Sequence, residues 1–123
     1  WGIHHPRGQT THGRRRHPNE AHMTLSDLFE TIRARKTADP ANSWTAQLLA
    51  KGPDKCAEKF GEEAVEAIIE AVKGDKAALT SEAADVLYHL LVMLASRDVE
   101  LEDVLKELAG RQSKSGVAEK ASR

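Results

Sequence analysis

At 123 residues the chain has room for one domain with one modest core, and 40% hydrophobic residues with only 4% aromatic mean a core of Ala, Leu, Ile and Val. The formal net charge of −1 hides a split: residues 1–22 hold four of the 18 basic residues, one of the 19 acids and five of the six His, leaving 14 bases against 18 acids beyond them. An acidic body argues against a nucleic-acid binder, a single cysteine (Cys56) excludes an intrachain disulfide, and no apolar run approaches a membrane span or a signal peptide, which together predict a cytoplasmic protein.

Residues 1–22 (WGIHHPRGQTTHGRRRHPNEAH) are rich in Gly, Pro, His and Arg and have almost no apolar periodicity. They are expected to be a disordered extension, appended or translated from upstream, with Met23 as the natural start of a single domain over 23–123. A basic phosphate-gripping arm is the alternative, but its His spacings fit no recognised metal site. From Thr24, Leu25, Leu28, Phe29 and Ile32 recur at intervals of three and four, one face of an amphipathic helix with Thr24 or Ser26 as N-cap. ADPANS (38–43) breaks that pattern at Pro40, and Ser43 caps a short helix, WTAQLLAK, that stops at Gly52-Pro53.

The strongest periodicity follows. Asp54–Lys73 contains no proline and ends on Gly74, as a helix stop should. A second long pattern runs from about Lys76 to Arg97, with Leu79, Ala83, Val86, Leu87, Leu90, Leu91 and Leu94 as its apolar face. Only Gly74-Asp75 connects the two, so they are predicted to be antiparallel neighbours. A last helix, LEDVLKELAGRQ, carries Leu101, Val104, Leu105 and Leu108 before a polar tail, SKSGVAEKASR, expected to be mobile. The expectation is an all-α fold: a helical hairpin completed into a four-helix-type bundle, with dimerisation suiting a chain so short of core.

Glu62, Glu63 and Glu66 form E-E-x-x-E on the first long helix, and Glu82 and Asp85 form E-x-x-D on the second, with fifteen residues between Glu66 and Glu82. At about 100° per residue, Glu62, Glu66, Glu70 and Glu63 fall at roughly 0°, 40°, 80° and 100°, while Ala64, Ile68, Val72, Val65 and Ile69 span roughly 200° to 340°. Asp85, His89 and Glu82 lie within roughly 60° of one another. Two antiparallel helices could thus bring the acidic arcs together at the edge of a shared core. Such an arrangement is unfavourable alone, since like charges at i and i+4 oppose a helix by about 0.2–0.5 kcal/mol per pair. A hard divalent cation relieves it, and Mg²⁺ takes carboxylates and water while leaving positions for phosphate oxygens. Zinc lacks its Cys or paired His here, and a ferritin-like di-iron bundle needs Glu-x-x-His where this chain has Asp85 and Glu66. A solvated face is the ordinary meaning of any single one of these acids; five in two motifs beside apolar stripes point to metal.

E-E-x-x-E followed at this distance by E-x-x-D resembles the metal motif of the MazG-type all-α nucleotide pyrophosphohydrolases. SWTAQLLAKGPDKCAEKFGEEAVEAIIEAVKGDK, SEAADVLYHLLVMLASRDVELEDVLKELAGR and the tail SGVAEKASR narrow that to the phosphoribosyl-ATP pyrophosphatase family of histidine biosynthesis, over about Met23 to Arg123. The resemblance implies hydrolysis of phosphoribosyl-ATP between the α and β phosphates to phosphoribosyl-AMP and pyrophosphate, in the monofunctional form, by a homodimer acting on a small-molecule nucleotide with no membrane partner. By matching positions it implies Glu63, Glu66, Glu82 and Asp85 as Mg²⁺ ligands and Glu62 as a further ligand or the group that orients the attacking water.

Lys51, Lys55 and Lys59, at i, i+4 and i+8, could meet the triphosphate, although Pro53 interrupts the run and solvated lysines are the plain alternative. His89 is either a hydrogen-bond partner of Asp85 or a satisfied core histidine, and Cys56 reads as packing. Trp44 either packs against the base or closes the core. A house-cleaning nucleoside triphosphate pyrophosphohydrolase of the same superfamily, and a non-enzymatic helical interaction module, are the competing readings.

Overall fold

The computed structural model describes residues 23–113; the expectations for residues 1–22 and 114–123 lie outside them. Among the described residues the secondary structure is entirely helical, without strands. The first helix, α1 (Leu25–Ala34), starts where the Thr24 hydroxyl accepts the Asp27 N–H at 3.0 Å, and it buries Leu28, Phe29 and Ile32. Two short 3-10 turns, Arg35–Thr37 and Pro40–Asn42, replace helix through the proline-containing break. Asp39 caps the second turn by accepting the Ala41 N–H at 3.0 Å.

Helix α2 (Trp44–Lys51) is capped by Ser43 and ends on Gly52, whose φ of 95° lies in the region a side chain disfavours. Pro53 then opens α3 (Pro53–Lys73) at a position whose missing N–H is no loss to the helix. Gly74, left-handed at φ 80°, closes α3: its N–H and that of Asp75 both return to the Glu70 carbonyl. Asp75 at once caps α4 (Lys76–Ser96) through the Ala78 N–H at 3.0 Å. The last helix, α5 (Leu101–Ser113), follows a turn at Asp98 and runs one residue further than its apolar pattern suggests.

Helices α3 and α4 make the dominant pairing, and α1 and α2 pack against α4 at the end remote from Gly74. The core lies at that base: Leu28, Phe29, Ile32, Leu48, Cys56, Tyr88, Leu91, Val92, Ala95 and Leu101. Cys56 is fully buried and its thiol donates to the Leu48 carbonyl at 3.3 Å, so it packs as the sequence suggests. Lys36 reaches the Ala95 carbonyl at 3.0 Å and the Asp98 carboxylate, and Arg33 meets Glu100 at 2.6 Å, fastening α1 across the α4–α5 turn.

Three expectations are corrected. The apolar stripe of α3 packs into no core among the described residues: Val65, Ile68, Ile69 and Val72 are exposed, Val72 by 83%. Glu63, Ala67 and Glu70 of the opposite arc are half-buried, as is Ala64 at the edge of the stripe, and no residue between Cys56 and Tyr88 is fully buried. On α4, Leu87 is exposed, while Tyr88, Val92 and Ala95, none of them on the anticipated apolar face, enter the core. Periodicity tells which residues share a face but not which face finds a partner. Finally, α4 is long and apolar enough to cross a membrane by length and composition; here it is the central helix, with Tyr88, Leu91 and Val92 enclosed by its neighbours.

Candidate metal centre

The acids converge on the arm of the α3–α4 hairpin that runs from the core toward the Gly74 tip. Carboxylate oxygens of Glu63, Glu66 and Glu82 lie within 4.8 Å of one another, with Glu63 and Glu82 half-buried and Glu66 exposed. One turn separates Glu66 from Glu63 on α3, and Glu82 approaches from α4. Oε1 of Glu82 is buried with no hydrogen-bond partner among the described residues, an unsatisfied acceptor of the kind folded proteins rarely keep. Burial, followed by the charges of Glu66, Asp85 and Glu63, pushes the Glu82 carboxyl above the usual carboxylate range. Glu63 is raised too, by burial first and then by Glu66 and Asp85.

Asp85 is therefore close enough to act on both raised carboxylates, although it stands outside the three-acid cluster. Glu62 is turned toward Lys59, whose Nζ lies 3.1 Å from its Oε1. Of the three sequence-singled lysines, Lys59 alone enters this neighbourhood, half-buried and acting electrostatically on Glu63 and His89. Lys55 is a turn away, 3.4 Å from Glu58, and Lys51 is the exposed last residue of α2, cut off by the Gly52 break.

His89 is 6% exposed, and its Nδ1 is buried without a hydrogen-bond partner among the described residues. Burial and then the nearby Lys59 charge lower its pKa below the usual histidine value. Hydrogen-bonding of its Nδ1 to Asp85 is thus not part of this arrangement; the ring instead packs edge-on against Tyr88, with centroids 4.9 Å apart. Sequence reading passed over Tyr88 and Thr45, whose hydroxyls hydrogen-bond to each other in the buried space beside Trp44. A lone Tyr among leucines gives no periodic signal.

An all-carboxylate set on two rigid helices, with one oxygen unsatisfied, matches a hard divalent cation that keeps some water. It is a fixed patch of negative charge with a cation, Lys59, at its rim.

A sequence model of the family described as phosphoribosyl-ATP pyrophosphohydrolase matches residues 25–112. The phosphoribosyl-ATP pyrophosphatase of Roseobacter denitrificans is 77% identical over 101 residues, covering 82% of this chain and 96% of the relative. That of Ruegeria pomeroyi is 76% identical over 99 residues, 80% and 94% respectively, and that of Paracoccus denitrificans 71% over 107 residues, 87% and 95%. With more than two thirds of its length matched by the family model and by relatives of this identity, the chain belongs to the phosphoribosyl-ATP pyrophosphohydrolase family.

Proposed function

We propose that this chain hydrolyses phosphoribosyl-ATP to phosphoribosyl-AMP and pyrophosphate, the second step of histidine biosynthesis, and that residues 23–123 form the single catalytic domain. The observation that carries the reading is the convergence of Glu63, Glu66 and Glu82 within 4.8 Å on a chain of this family. Glu63, Glu66, Glu82 and Asp85 would hold Mg²⁺, which would supply neutralisation of the charge that builds on the phosphate oxygens. Glu62 orients the attacking water, releasing its Lys59 partner toward the triphosphate, with Lys55 one turn farther out and Lys51 at the periphery. As water oxygen bonds to phosphorus, the bridging Pα–O–Pβ bond breaks, pyrophosphate leaves and the water proton passes to a carboxylate or solvent. Little covalent help is needed, because positioning and charge neutralisation supply most of the rate.

The active form is a homodimer in the cytoplasm. The exposed stripe of Val65, Ile68, Ile69 and Val72 is one turn-spaced apolar face that no other described residue covers, and packing it against a second hairpin completes a four-helix bundle. Turnover of phosphoribosyl-ATP against a panel of nucleoside triphosphates tests the reading. Preferred release of pyrophosphate from phosphoribosyl-ATP, dependent on Mg²⁺, is expected; preference for simple triphosphates would instead identify a house-cleaning enzyme of the superfamily.

A further inference from the structure

Beside the hairpin base lies a cavity of about 590 Å³, within the range of small-molecule sites, that the acid cluster does not use. Its walls come from α1, the two 3-10 turns, the start of α2 and one residue of α4, with Thr31, Arg35, Asn42, Ser43, Trp44 and Tyr88 supplying the chemistry. Arg35 is exposed and makes no ion pair among the described residues, whereas its neighbours Arg33 and Lys36 are engaged with Glu100 and Asp98. The one acid on the cavity, Asp39, is occupied by the Ala41 N–H and by the Asn42 amide at 3.3 Å. The hydroxyls of Thr31, Thr45 and Tyr88 and the Asn42 amide are engaged within the fold, so the cavity offers a cation, an indole and the Ser43 hydroxyl, a set suited to a phosphorylated sugar attached to a ring.

Its position relative to the acids matters as much as its lining. Tyr88 lies three residues beyond Asp85, about 4.5 Å along α4 and roughly 60° around it. The edge-on Tyr88–His89 pair is the partition: Tyr88 faces the cavity, and His89 feels the charges of Lys59, Asp85 and Glu62. A ligand with a triphosphate on the acids thus has this cavity within reach of its opposite end.

We propose that the cavity is the specificity subsite for the phosphoribosyl group that distinguishes phosphoribosyl-ATP from ATP, with Arg35 binding its terminal phosphate and Trp44 lying against the sugar or the adjoining ring. This rests on the substrate proposed above. An enzyme of this kind meets ATP in excess, and the two nucleotides share the triphosphate that the acids and lysines engage. Discrimination must come from groups remote from the reacting phosphorus, and a contact to a charged group supplies it where an apolar pocket would not.

The test is Arg35→Met in the full chain, read in two ways. In steady-state kinetics with Mg²⁺, KM for phosphoribosyl-ATP should rise about tenfold to a hundredfold with kcat little changed, while any slow hydrolysis of ATP is unaffected. In calorimetry without metal, wild-type protein should bind phosphoribosyl-AMP more tightly than AMP, and the substitution should erase that difference; unchanged helical circular dichroism certifies the fold. Equal binding of the two monophosphates by the wild type, or equal losses for both nucleotides in the variant, overturns the subsite. If the wild type does not turn over phosphoribosyl-ATP at all, the proposed function itself fails; normal turnover with an indifferent Arg35 variant sinks the subsite alone.

Discussion

The two ends of the α3–α4 hairpin are built on opposite terms. At the base, α1, α2 and the start of α5 enclose Leu48, Cys56, Tyr88, Leu91 and Val92, all within 1% of full burial. From there to Gly74 and back no residue is fully buried, and this is where Glu63, Glu66 and Glu82 meet. The base supplies the cooperativity of folding and the tip supplies the chemistry. A hairpin arm without a core of its own is held by helix propensity, by its caps and by whatever covers it, so the acidic site belongs to the less stable part of the molecule. Separating the two jobs lets carboxylates crowd together without disturbing the packing that keeps the chain folded.

The sharpest break in that comparison is Glu66→Gln. Removing a ligand charge at the tip should lower the Mg²⁺-dependent rate by more than about a hundredfold, yet leave the melting temperature equal or higher, since repulsion is relieved. An active variant, or one that unfolds, would show that the tip is not a metal site. The mirror experiment is Leu48→Ala at the base. Truncating a fully buried leucine should cost about 2–5 kcal/mol in denaturant unfolding, with residual activity in whatever fraction remains folded. Ile68→Ala, on the exposed stripe, should by contrast leave the unfolding of an isolated chain almost unchanged and weaken self-association in sedimentation; an equal cost at both positions would erase the distinction between base and tip.

Metal and pH sharpen it further. Mg²⁺ should raise the melting temperature by mass action, worth about 2.7 kcal/mol when its concentration is about a hundred times the dissociation constant. Identical melts with and without the ion, at a concentration that supports turnover, would argue against a preassembled site. The smallest effect is that of protons on the metal-free chain. Glu63 and Glu82 titrate above the ordinary 4.5, so each takes up a proton more readily folded than unfolded. Their contribution is fully present below 4.5 and is lost as pH rises through the raised values, so the tip should gain stability on acidification in that window. Mg²⁺ affinity should weaken over the same window as protons compete for the same oxygens. Glu63→Gln with Glu82→Gln should flatten the metal-free dependence.

Legibility in the sequence follows the same division. Helix boundaries were readable to within a residue or two, because Thr24, Ser43, Gly52, Gly74 and Asp75 each signal an end by local chemistry. The all-α fold and the convergence of Glu63, Glu66 and Glu82 were also readable, since spacing and a two-residue turn suffice. The direction of the α3 stripe was not: Ile68 and Val72 look like core by periodicity, and only the placement of α1 and α2 at the base shows that no other described helix covers them. Nor was the Thr45–Tyr88 hydrogen bond, which joins residues 43 apart in sequence. The interruption of the lysine run at Pro53 was legible as well, and the positive φ at Gly52 completes the break that separates Lys51 from Lys55 and Lys59.

Gly74 has a metric consequence. Glu66 and Glu82 each stand eight residues from it, Glu63 and Asp85 eleven, and Lys59 and His89 fifteen. The hairpin is a folded ruler whose crease is one glycine, and every pair that matters sits at matching graduations on the two arms. One residue inserted between Gly74 and Asp75, and not absorbed as a bulge, would slide one arm by about 1.5 Å and rotate it by about 100°, putting all three pairs out of register at once while sparing both helices. The interval between the two acidic motifs and the tightness of the turn are therefore a single constraint, and neither can drift in length unless the other changes with it.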